Sequence, residues 1–133
     1  MITEDYVSFE IAKLLKEKGF DWECIGYYVD YEPNDVKYSF LRETNFTWES
    51  RCCSAPTLQM AMKWLREMHY IHIAALCPIV DVDTDVFGVK YNVVISNLKN
   101  NCLAFNTGIE DNEYDTYEQA CEAAIEYCLK NLI

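Results

Sequence analysis

Hydropathy along this chain changes period from 3.6 to 2 and back, and that order restricts the fold more than any other feature. Val7, Ile11, Leu14 and Leu15 fall on one helical stripe. Thr3 stands as a cap before Glu4 and Asp5, where the helix dipole favours carboxylates, and Gly19 followed by Phe20 forms a Schellman-type stop. The spacing therefore predicts a helix over 4–18. From Trp22 to Tyr31 the pattern alternates, with Ile25, Tyr27, Val29 and Tyr31 on one strand face. Glu32-Pro33-Asn34-Asp35 reads as a turn, and Val36, Tyr38 and Phe40 resume the alternation, which predicts a hairpin. Residues 41–53 show no period and are expected to be loop.

A second helix opens near Ser54-Ala55-Pro56-Thr57. Either Ala55 caps it with Pro56 as the first helical residue, or Thr57 caps it with Pro56 just outside. Leu58, Ala61, Met62, Leu65 and Met68 form its stripe, ending close to His69. Ile71 to Val80 is apolar on both faces and is expected to be a central strand, ended by Pro78. Asp81 to Gly88 is a turn, Val89, Tyr91, Val93 and Ile95 alternate as the next strand, Asn97 to Asn101 turns again, and Cys102 to Phe105 is a short strand. Thr116-Tyr117-Glu118-Gln119 fits a capping box for a last helix lined by Tyr117, Cys121, Ala124, Cys128 and Leu132. The order α-β-β-α-β-β-β-α, with no linker or repeat, implies one α+β domain over 1–133 with about three helices packed on an antiparallel sheet. At 133 residues such a domain buries roughly 68% of its unfolded surface and needs no disulfide or metal.

Charge narrows the function. The formal net charge is −11, from 11 basic and 22 acidic side chains. Residues 1–44 hold 5 basic and 10 acidic groups, 45–100 hold 5 and 5, and 101–133 hold 1 and 7, so both ends are acidic and the middle is neutral. Such a surface repels phosphate, so no direct nucleic-acid binding is expected. Met1-Ile2-Thr3-Glu4-Asp5 lacks the basic and apolar regions of a signal peptide, and the longest uncharged apolar run, Ile73 to Val80, is too short to span a bilayer. A cytoplasmic protein without membrane contact follows as the expectation. In that reducing compartment the 7 cysteines serve mostly as small buried hydrophobes, and the sequon Asn45-Phe46-Thr47 carries no glycan.

Three blocks carry a resemblance: Ile2-Thr3-Glu4-Asp5-Tyr6-Val7-Ser8-Phe9-Glu10 with Ala12 to Phe20; Ala55-Pro56-Thr57-Leu58 with Lys63-Trp64-Leu65-Arg66-Glu67; and Thr116-Tyr117-Glu118 with Ala120 and Ala124. In these the chain resembles a family of small uncharacterised proteins of gut Bacteroides-type bacteria and their phages or mobile elements. Relatives often carry an acidic residue three positions after the threonine, where Met60 stands here. The resemblance implies a phage-associated or mobile-element setting and brings no activity or site with it.

Each chemical constellation has a plainer reading beside it. Asp81-Val82-Asp83-Thr84-Asp85 starts like a calcium loop, but Val86 and Asn92 replace the glycine and the bidentate glutamate that such a loop needs, so it reads as a solvated turn. His69, His72 and Cys77 are the best zinc candidates by residue type, yet the histidines straddle a helix end and a strand start and no C-x-x-C pair supports them. Cys52 and Cys53, just before the second helix, are the best-placed thiols for nucleophilic work, although an acidic chain offers few cations to stabilise a thiolate. The 4 glycines make no phosphate cradle, and no cofactor is expected. Trp64 beside Lys63 and Arg66 either widens the core face, the preferred reading, or forms a hot spot at a protein interface. Tyr27, Tyr31 and Tyr38 of the aromatic hairpin are the other interface candidates. The sequence thus points first to a non-enzymatic accessory or adaptor protein acting by protein contact. The alternatives are an acidic mimic of nucleic acid that occupies a host DNA- or RNA-binding protein, and a metal- or thiol-dependent enzyme. A homodimer is possible through leftover aromatic surface.

Overall fold

The computed structural model describes residues 5–76, 91–99, 102–106 and 114–133. Helix α1 spans Phe9–Glu17, and its cap is Ser8, whose Oγ accepts from the Ile11 amide. The start expected at residue 4 is thus corrected. Residues 5–7 are extended instead, because residues 56–58 take their backbone groups: Val7 N donates to Pro56 O at 3.0 Å, Leu58 N donates to Asp5 O at 2.9 Å, and Tyr6 bridges Thr57. Val7 is fully buried in that segment rather than on the helical stripe. At the other end the expected stop is present. Gly19 adopts φ 89°, Gly19 N donates to Lys16 O and Phe20 N to Leu15 O, and Phe20 is buried against the helix.

Strands β1 (Cys24–Val29), β2 (Glu32–Glu43) and β3 (Cys52–Ser54) form an antiparallel sheet in the order β2-β1-β3. The hairpin exists, but its turn is Asp30-Tyr31, with Val29 paired to Glu32. Pro33 lies inside β2, where an outer strand tolerates its missing N–H. The register explains the displaced turn signal. Between Tyr27↔Lys37 and Val29↔Glu32, a two-residue step on β1 spans five residues of β2, and the same happens between Gly26↔Tyr38 and Cys24↔Glu43. Two large bulges result, and the Pro-Asn-Asp run sits in the first. Along β1 Cys24, Gly26 and Tyr28 are buried, while the row expected to share one face is divided, with Ile25 and Tyr31 exposed and Val29 buried. A Cβ on Gly26 would stand 3.0 Å from Ala55 O, so a larger residue would have to push the backbone of residue 55 back by a few tenths of an ångström. The stretch 41–53 expected to be loop is corrected at both ends: residues 41–43 finish β2, and Cys52 and Cys53 begin β3.

Helix α2 (Leu58–His69) is capped by Thr57, whose hydroxyl accepts from Met60 N, which puts Pro56 just outside. It stops at Tyr70, in the left-handed region at φ 57°. A second antiparallel sheet follows, β4 (Ile71–Leu76), β5 (Asn92–Asn97) and β6 (Cys102–Asn106), in that spatial order. Among the described residues β4 is therefore an outer strand, and β5 holds the centre expected of it. The apolar run misled because Ile71 and Ile73 face the helices while Ala74 and Ala75 are only half-buried. Asp81 to Gly88 lies outside the described residues. Helix α3 (Tyr117–Asn131) is capped by Thr116, whose hydroxyl accepts from Gln119 N, the threonine half of the expected capping box.

The α+β class and antiparallel pairing are as expected, and the described residues hold three helices. Among these residues pairing is divided between two three-stranded sheets instead of one, and β3 is added to the order. A continuous core joins them: Ile11 and Leu15 of α1, Trp64 and Leu65 of α2, Val93 and Ile95 of β5, and Ile125 and Leu129 of α3. No helix of the described residues is long and apolar enough to cross a membrane.

Candidate functional site

The Lys63-Trp64-Leu65-Arg66 group is divided by the helix it lies on. Trp64 is 2% exposed and packs edge-on against Phe20, with ring centroids 5.4 Å apart, so it presents no interface surface. Lys63 and Arg66 point to solvent, and Lys63 pairs with Glu67 at 4.0 Å one turn on. His69 packs its ring edge-on to Trp64 at 4.7 Å, and desolvation pushes its pKa below the ordinary value. His72 is half-buried in β4, opposite Ser96. Cys77 lies outside the described residues, among which no three His, Cys, Asp or Glu side chains come together as a metal site. The proposed zinc set is therefore not assembled by the part of the chain that is described.

Cys52 and Cys53 line a cleft of about 420 Å³ with Phe9, Lys13, Lys16 and Arg51. The cations are present, but Lys16 Nζ donates to the carbonyl oxygen of Cys52 at 2.7 Å, and Lys13 stands over the Phe9 ring at 5.2 Å. Burial outweighs them and pushes the Cys53 thiol up to about 11. Cys24 is likewise raised to about 11 and Cys128 to about 12 by burial. These thiols are poor nucleophiles near neutral pH. Because the folded chain holds their protons more tightly than the unfolded one, stability is intact below the ordinary value of 9.0 and falls as pH rises through the folded values. In native protein at about pH 8, iodoacetamide is expected to label Cys52 well before Cys24, Cys53, Cys121 and Cys128, which become reactive on unfolding. Peptide mass mapping reads the order.

The three candidate tyrosines occupy two faces of the first sheet. Tyr38 is opposite Gly26 on the inner side and meets Tyr6 edge-on at 5.8 Å. Tyr27 and Tyr31 line a groove of about 640 Å³ on the other side, together with Trp48, Glu43 and Glu49. Trp48 lies against Tyr27 with ring centroids 4.5 Å apart and planes 31° from parallel. Loop 44–51 fixes it there. Thr44 N donates to Thr47 Oγ1, Trp48 N donates to Thr44 O, and Trp48 Nε1 donates to Ser54 Oγ at 2.7 Å. Beneath the loop, buried Asn45 donates from Nδ2 to Phe20 O at 2.9 Å and accepts from Ser54 N at 2.8 Å through Oδ1. Asn45 is thus a structural bolt whose side-chain amide is held in the interior, while Phe46 and Thr47 after it are exposed.

The second bulge of β2 supplies the remaining feature. Phe40 is fully exposed and Leu41 is 71% exposed, and Ile25 across from them is exposed as well. Trp48, Phe40 and Leu41 were not among the candidates read from the sequence. Phe40 matched the expected alternation, and nothing in its neighbours marks the bulge that turns it outward. Comparisons with known protein families, with curated proteins and with solved structures find no match to this chain.

Proposed function

We propose that this chain is a non-enzymatic accessory or adaptor protein, in the mobile-element setting that its three sequence blocks suggest, acting by protein contact through the first sheet. One observation carries the reading: the bulge in β2 holds Phe40 and Leu41 out in solvent beside Ile25. Leaving each such side chain exposed forgoes about 1.5–3 kcal/mol that burial would supply. Six of the ten large apolar side chains exposed among the described residues belong to β1, β2 and their loops, namely Ile25, Tyr31, Tyr38, Phe40, Leu41 and Phe46. Concentrated apolar surface of this kind marks interaction sites. Bulges also spoil an edge for strand addition, so the contact is made by protruding side chains rather than by a shared ladder. The raised thiol pKa values favour contact over thiol chemistry.

The test is affinity capture from a lysate of the organism that carries the chain, comparing wild type with the double variant Phe40→Ser/Leu41→Ser. The variant is expected to lose the captured partner and to melt no lower than wild type, since neither side chain is packed. Undiminished capture by the variant would sink the reading.

A further inference from the structure

The geometry points to the groove over β1 as a receptor for an arginine side chain of a basic peptide segment in the partner. This rests on the first sheet being a contact surface, and it adds the chemistry of what is bound. Tyr27, Tyr31 and Trp48 bring three aromatic rings to a space of about 640 Å³, large enough for a long side chain and its flanking backbone. Ring faces attract cations, and a guanidinium stacks on them while keeping its donors free at its edge.

Those donors find acceptors. Glu43 and Glu49 line the same groove. Lys37 lines it too, but its ammonium is shared between Glu32 and Asp35. With those two carboxylates included, the surroundings carry four acids against Lys37 and Arg51. A net charge of −11 over the whole chain steers a basic segment toward it from a distance. Preorganisation completes the case. Trp48 is fixed by its bond to Ser54, and loop 44–51 by Asn45, so binding does not have to order the aromatic wall. A lysine meets the same rings and carboxylates without the planar fork, and a neutral isostere lacks the charge.

The experiment uses the full chain and calorimetric titration with short capped peptides that differ at one position: arginine, lysine or citrulline. The arginine peptide is expected to bind one to one, with citrulline weaker by about tenfold or more and lysine between them. Trp48→Ala, which leaves every charge in place, is expected to weaken the arginine peptide about tenfold, and Glu43→Gln/Glu49→Gln to do the same without touching the rings. Trp48→Phe keeps a ring but loses the bond to Ser54 and is expected to bind between wild type and Trp48→Ala, and a melting temperature of Trp48→Ala close to that of wild type guards against a loop that simply fails to fold. Equal binding of arginine and citrulline peptides would overturn the inference. So would arginine binding that Trp48→Ala leaves unchanged, which would make it a bulk charge effect. Phe40→Ser/Leu41→Ser is expected to keep full arginine binding. Loss of partner capture in that variant with no arginine preference in wild type would therefore reject the groove while leaving the contact reading standing.

Discussion

Trp64→Ala is expected to lower the unfolding free energy by about 3–5 kcal/mol, a large share of what a domain of this size possesses. Trp64 is the largest of the fully buried side chains, and its ring meets Phe20 and His69 edge-on. Truncation leaves a void beside Phe20 and His69 in the core. Trp64→Phe is expected to cost much less. It retains an aromatic ring in the slot, and it deletes an indole Nε1 that is buried with no hydrogen-bond partner among the described residues, a group whose desolvation itself costs about 1–3 kcal/mol. Urea unfolding followed by far-ultraviolet circular dichroism gives both numbers. A tryptophan at a contact surface would behave in the opposite way, with little loss of stability on truncation.

Asn45→Ala is the second large effect, expected at about 2–4 kcal/mol for the loss of two buried hydrogen bonds that leave backbone groups unsatisfied. Phe20 O loses its donor and Ser54 N its acceptor, both in the interior between α1 and β3. Asn45→Asp does not rescue it, because a carboxylate can still accept from Ser54 N but cannot donate to Phe20 O, and it adds a buried charge. The same substitution frees loop 44–51, so the near-ultraviolet signal of the Tyr27–Trp48 pair is expected to weaken along with the melting temperature. If Asn45→Ala melted like wild type, loop 44–51 would not be held as described.

The contrast between Trp64 and Asn45 shows what the sequence reveals and what it hides. Periodicity placed most of the stripes of the three helices, the exceptions being Val7, which precedes α1, and Met68, which is exposed on α2; the Gly19 stop and the Thr116 cap were also found, because such signals are local and act within one turn. Trp64 was legible as core for the same reason. The first helix start failed where a distant segment, 56–58, claimed the backbone of 5–7. In the first sheet alternation was visible but its direction was not, since Cys24, Gly26 and Tyr28 are buried while the larger Ile25 and Tyr31 are exposed. Asn45 looks like any polar loop residue until Phe20, far back in the chain, is brought beside it. The surface proposed for contact was hardest to read. Tyr27 and Tyr31 were found by composition, but Trp48 depends on a loop folding over β1, and Phe40 and Leu41 depend on a register shift that has no local signature.

Contact through the β2 bulge is tested most directly by placing a photo-crosslinking phenylalanine analogue at position 40 in the chain as expressed in its own host, with the same analogue at exposed Gln59 on α2 as the control. Illumination is expected to give a discrete heavier adduct from position 40 and none from position 59. Indistinguishable adducts at the two positions, or no adduct at position 40, would contradict the account.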